Sequence, residues 1–118
     1  METKEITRSV WRLFLDDFSR LHQGETATIQ IFGEDIGAVF QAESLPFLGI
    51  SSEEAGSEKG AIAVLLGTEP NDHVEHRISD PTHLWITSTR NRVKDTLEIE
   101  AADGTKTIVQ LQPLLMLP

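Results

Sequence analysis

Thr96-Leu97-Glu98-Ile99-Glu100-Ala101-Ala102-Asp103-Gly104-Thr105-Lys106-Thr107-Ile108-Val109 is the stretch on which the fold turns. Apolar and polar residues alternate on either side of Asp103-Gly104, a pair that favours tight hairpin turns. A three-residue loop, Ala102-Asp103-Gly104, puts Leu97 opposite Val109 on one face and Glu100 opposite Lys106 on the other. A two-residue loop would mix apolar and charged residues on each face, which the side-chain period of a strand disfavours. The chain therefore ends in two antiparallel strands, at about Thr96 to Ala101 and Thr105 to Leu111.

The same period of two runs back through most of the chain. Strands are expected at about His73 to Ser79 and His83 to Thr89. Ala61 to Leu66 is continuously apolar, the pattern of a central strand covered on both faces. Ala27, Ile29 and Ile31 alternate with Thr26, Thr28 and Gln30, and a further strand follows from about Ala38 to Ser44, with Pro46 marking its end or an edge. Ser51 to Gly60 has no large apolar residue and reads as a mobile loop.

Only the N-terminal segment carries the helical period. Trp11, Phe14, Leu15, Phe18 and Leu21 form one stripe. Thr7 is placed to cap it, Ile6 to pack on Trp11, Asp16 to pair with Arg20, and Gly24 to end the helix in the left-handed conformation. The resulting fold class is α+β: one amphipathic helix packed on a twisted, mostly antiparallel sheet of about six to seven strands, a meander open to curling toward a barrel. The 118 residues form a single domain, with the helix at about 8–22, a β-rich part at 25–112 and an apolar tail at 113–118. Four apolar residues in that tail are expected to dock on the sheet or on a second subunit, the first being favoured.

Composition narrows the function classes. The absence of cysteine excludes disulfides, thiolate metal sites and cysteine nucleophiles. A net charge of -9, with scattered basic residues, argues against nucleic acid and anionic membranes as partners. The N-terminus shows no basic, then apolar, targeting pattern, so a cytoplasmic location is expected. No glycine-rich phosphate loop and no Gly-x-Ser-x-Gly occurs, and no catalytic residue or cofactor site is assigned.

One cluster could do chemistry near neutral pH: Asp72-His73-Val74-Glu75-His76, followed by His83. His73 and His76, three apart, would share a face on a helix. Here the alternation reads as a strand, which sends them to opposite faces. A hairpin with an Asp80-Pro81-Thr82 loop would pair Ile78 with Leu84, Arg77 with Trp85 and His76 with Ile86. Arg77 would then lie over Trp85 as a cation–π pair worth about 0.5–1 kcal/mol. His73 and His83 would sit roughly 20 Å apart. His73 and His76 remain weak metal-ligand candidates, since a bulge beside Glu75 would bring them together.

Four segments carry a resemblance: Trp11 to Arg20, Asp35-Ile36-Gly37-Ala38, Asp72 to His76, and Leu97 to Thr105. In these the chain resembles a family of small bacterial proteins known only as a domain of unknown function. The resemblance implies a bacterial, single-domain protein without assigned activity, and it carries no functional residue over. The expected function is a non-enzymatic interaction or accessory domain, with an unknown protein partner or self-association through a sheet edge or the tail. The alternative is a metal- or small-ligand-binding protein using His76 and its neighbours.

Overall fold

The N-terminal stripe forms helix α1 over Trp11–His22, entered through one 3-10 turn at Arg8–Val10. The computed structural model describes residues 2–33, 37–53, 60–69, 72–88 and 95–113. Trp11, Leu15, Phe18 and His22 are the buried positions of α1. Leu21, expected on the stripe, is 54% exposed. Spacings of four, three and four follow the helical period to His22, which takes the last buried place. Thr7 makes no side-chain cap bond; the entry is held instead by Trp11 Nε1 donating to the Ile6 carbonyl at 2.8 Å. Arg20 pairs with Asp17 and not with Asp16. Gly24, at φ 90°, turns the chain out of the helix as the sequence suggested.

Eight strands follow the described chain: β1 Glu2–Glu5, β2 Thr26–Gly33, β3 Gly37–Ser52, β4 Ile62–Glu69, β5 Asp72–Ile78, β6 Pro81–Ser88, β7 Asp95–Ala101 and β8 Lys106–Gln112. Their order in the sheet is β1-β6-β7-β8-β2-β3-β4-β5, and every neighbouring pair is antiparallel. The α+β class holds. The sheet is open, with one strand more than expected. The additional strand is β1, whose four residues are all exposed. Glu2-Thr3-Lys4-Glu5 has no apolar alternation to announce it. It is specified by β6, against which Glu2 meets Ser88 and Glu5 meets Trp85, with the Thr3 and Thr87 hydroxyls bonded at 2.8 Å.

The β7–β8 hairpin has the expected register, with Leu97 opposite Val109 and Glu100 opposite Lys106. The expected β5–β6 hairpin does not form. β5 pairs with β4, so that His76 faces Val64 and Ile78 faces Ile62, while β6 lies between β1 and β7. Asp80, at φ 50°, bends the chain between them, and its carbonyl is taken by the Ala102 N–H at 2.9 Å. The link is a corner where the chain leaves one end of the sheet for the other. Arg77 therefore does not reach Trp85. It pairs with Glu53 and, at 3.5 Å, with Glu75. Trp85 is stacked instead by His83, with centroids 5.1 Å apart. The cation over an indole is Arg8, 4.6 Å from the Trp11 ring, and it also donates to the Pro81 carbonyl at 2.9 Å.

Pro46 does not end β3. The strand runs through it and changes partner there: Pro46 is opposite Thr26 of β2, and Phe47 is opposite Leu66 of β4. Ser44, at φ 50°, and bulges on both sides provide the bend, and Thr28 Oγ1 accepts the Ser44 N–H at 3.0 Å. β4 is covered as its apolar run implied, with Ala61 to Val64 all buried, but it is not central: it lies next to the terminal strand β5. The Ser51 to Gly60 loop is described only in part. Ser51 and Ser52 complete β3, while residues 54–59 lie outside the described residues, as does the tail from residue 114 onward.

α1 packs on the second half of β3. The Ser19 hydroxyl accepts the Ile50 N–H and donates to the Ile50 carbonyl, both at 2.8 Å. Gly49 faces this hydroxyl, and a Cβ there would sit 3.6 Å from it. Phe18 meets Phe47 edge to face at 6.2 Å. With Leu15, Ile29, Ile62, Val64, Leu84, Leu97, Ile99, Val109 and Leu111 they form one continuous core.

Candidate functional site

The buried polar centre of the fold lies at His22, the histidine outside the sequence cluster. The helical period carries its ring inward at the last turn of α1. The backbone turn at Gly24 then brings Glu25 back, and Glu25 Oε1 stands 2.7 Å from His22 Nδ1. β7 supplies the other partner. Its alternation puts Asp95 on the same inner face as Leu97, Ile99 and Ala101, and Asp95 Oδ2 stands 2.7 Å from His22 Nε2. His22 is 1% exposed and Asp95 is fully buried. Each ring nitrogen thus has its own carboxylate partner. Phe18 covers the ring at 4.5 Å.

An Asp–His pair is the orienting half of many nucleophilic sites, where the second nitrogen meets the nucleophile. Here the second nitrogen is committed to Glu25. The arrangement bridges α1, the start of β2 and the start of β7 as a structural clamp. Sequence reasoning passed over it because Asp95 lies 73 residues from His22. The available signal was the 11, 15, 18, 22 spacing, which puts a histidine where a core residue belongs.

The histidines of the sequence cluster are not brought together. His73 is exposed on β5, opposite Gly67. His76 is half-buried on the other face, opposite Val64. Pairing runs without a shift from Gly67–His73 to Ile62–Ile78, so no bulge lies beside Glu75; the irregularity falls between Gly67 and Glu69 of β4. His83 belongs to β6, with Nδ1 2.7 Å from Glu5 Oε2. Among the described residues, no three His, Asp or Glu side chains are grouped to hold a metal ion.

His76 does line a cleft of about 180 Å³ between β5 and the β7–β8 turn. Ser79, Asp103, Thr105 and Thr107 contribute polar groups to it, and Ile31 and Ile78 contribute apolar ones. Burial pushes the His76 imidazole below its ordinary value, which favours the neutral ring. The Thr105 N–H, donating to Asp103 Oδ1 at 2.9 Å, holds that carboxyl below the usual carboxylate value.

Comparison with known proteins agrees in extent with this single run of structure. A family model described as "Family of unknown function (DUF5335)" matches residues 2–118. The chain belongs to the DUF5335 family. This DUF5335 member is also similar to an uncharacterized protein of Aquifex aeolicus (strain VF5), 24% identical over 118 residues that cover 100% of this chain and 99% of the relative. No solved structure matches it. Among the described residues of the DUF5335 chain, no helix is long and apolar enough to cross a membrane.

Proposed function

We propose that the chain is a non-enzymatic interaction or accessory domain whose working surface is the outer edge of β5. The observation that carries this reading is the position of β5 at the end of the described sheet, with Val74 56% exposed in its middle. A terminal strand offers backbone donors and acceptors to an added strand, and side-chain alternation gives such pairing its selectivity. The other terminal strand, β1, is shorter, and every one of its residues is exposed, with charge at Glu2, Lys4 and Glu5. Those are features that blunt an edge. The same reading makes the protein bacterial, in keeping with the relative in Aquifex aeolicus. It also makes it cytoplasmic, with a protein partner in place of nucleic acid or membrane, in keeping with the acid excess.

A photoreactive side chain introduced in place of Val74, in the host cell, tests the reading. Adducts are expected from position 74 and not from Leu13, which is 69% exposed on α1. Equal adduct yields from both positions, or none, would overturn it.

A second reading is favoured by the cleft beside His76: binding of a small polar ligand or a metal ion there. Zinc titration of the wild-type chain and of His76→Ala tests the metal form of it. Stoichiometric binding that disappears in the variant supports the site, and absence of binding ends it.

A further inference from the structure

We propose that the partner of the β5 edge is a second copy of this chain, paired antiparallel with β5 in the register centred on Val74. This rests on the reading of β5 as the interaction edge.

The argument is the self-complementarity of five residues. Asp72-His73-Val74-Glu75-His76 reads acid, imidazole, apolar, acid, imidazole. In a two-fold symmetric interface, residue i meets j and j meets i, so each cross-strand pair occurs twice. Centred on Val74, the register sets Val74 against Val74, His73 against Glu75, and position 72, an aspartate, against His76. Every off-centre pair joins a carboxylate to an imidazole. Directly opposite residues also share a face of the sheet. Both valines therefore lie together on one face, and the His73–Glu75 pairs lie on the other.

Neighbouring registers lose this match. Centring on Glu75 sets Glu75 against Glu75 and His73 against Arg77. Centring on His73 sets His73 against itself and Asp72 against Val74. Like charges directly opposite one another are destabilising. The favoured register also falls on the outward part of the strand: His73, Val74 and Glu75 are exposed, and burial begins at His76 and reaches Ile78. The strand has no lysine or proline, and although it carries charge at Asp72, Glu75 and Arg77, this register sets both carboxylates against imidazoles. Pairing covers Val74, a large apolar side chain that is 56% exposed.

The 118-residue chain has no cysteine, so its single-cysteine variants report the register directly. Under mild oxidation, Val74→Cys is expected to form a disulfide-linked dimer at least tenfold faster than Glu75→Cys or His73→Cys, because only position 74 faces its own copy. An equimolar mixture of the His73→Cys and Glu75→Cys chains is expected to link to each other. Concentration-dependent light scattering of the wild type should show a dimer that Val74→Lys abolishes, with circular dichroism confirming that the variant is folded. Linking as fast at position 75 as at position 74, or a wild-type monomer at all concentrations, would overturn self-pairing. If photo-adducts form at position 74 only with a different protein, the edge reading stands and self-pairing falls. If no adducts form, both fall.

Discussion

His22 and Asp95 meet through Nε2 and Oδ2 at 2.7 Å, almost wholly out of solvent, and so tie the last turn of α1 to the first residue of β7. Removing one member of such a pair leaves a buried polar group short of one hydrogen-bond partner, which typically costs about 1–3 kcal/mol. His22→Ala and Asp95→Ala are each expected to lower the urea unfolding free energy by that order. The double variant should lose much less than the sum. Single losses below about 1 kcal/mol, the level of an ordinary neutral hydrogen bond, would rule out the clamp.

Ser19 gives a second prediction. Its hydroxyl satisfies both backbone groups of Ile50, at 2.8 Å each, where β3 bulges. Ser19→Ala leaves these groups without that partner and is expected to cost about 1–3 kcal/mol. Gly49→Ala should be far milder, since the added Cβ meets Ser19 Oγ at an ordinary 3.6 Å. Comparing the denaturation midpoints of the two variants checks the order.

Gly60 and Gly24 have similar positive φ values, 87° and 90°. An alanine at either is strained by about 1–2 kcal/mol. A Cβ at Gly60 would also run into the Arg8 guanidinium, whereas at Gly24 nothing lies within 4 Å. Gly60→Ala is therefore expected to destabilise more than Gly24→Ala, and Arg8→Ala should narrow the gap between them. Equal costs with Arg8 present would show that the guanidinium moves aside freely.

His76 sets a pH dependence. Its folded-state value lies below 6.5 because burial disfavours the charged ring. As pH falls, the unfolded chain takes up the proton first, so protonation favours unfolding. The contribution is full above the unfolded value and is lost as pH drops toward and through the lower folded value. His76→Gln removes it, and the stability difference between wild type and variant should change between about pH 7.5 and about pH 5, in the range where histidines titrate. A difference independent of pH would contradict the burial of this ring.

Much of the fold was legible wherever a residue's partner is near it in sequence. The β7–β8 register followed from the alternation and the Asp103-Gly104 turn, because the pairing residues are only a loop apart and a one-residue slip would expose the apolar set. The amphipathic helix and the buried apolar strand β4 were readable for the same reason, since each declares its buried surface in its own pattern, although β4 lies beside the sheet edge and not at its centre.

The candidate sites were legible in part. Alternation alone sent His73 and His76 to opposite faces, as the β4–β5 pairing shows. It also singled out the His76 position, which lines the cleft. Nothing local revealed that His22 would find Asp95, because the helical period says that a ring points inward but not what it meets there.

Tertiary structure decided the rest. Asp80 in the left-handed region turned an expected β5–β6 hairpin into a corner, and each strand took a different neighbour. A turn sequence alone does not separate a hairpin from a corner, since the difference lies in which strand offers the better buried face. For β5 that strand is β4, where Val64 and Ile62 stand opposite His76 and Ile78. For β1 it is the free side of β6 that makes a strand of four exposed residues. Local period determined which side chains turn inward along each element. The packing of distant elements determined their neighbours, because burial rewards apolar faces without regard to their separation in the chain.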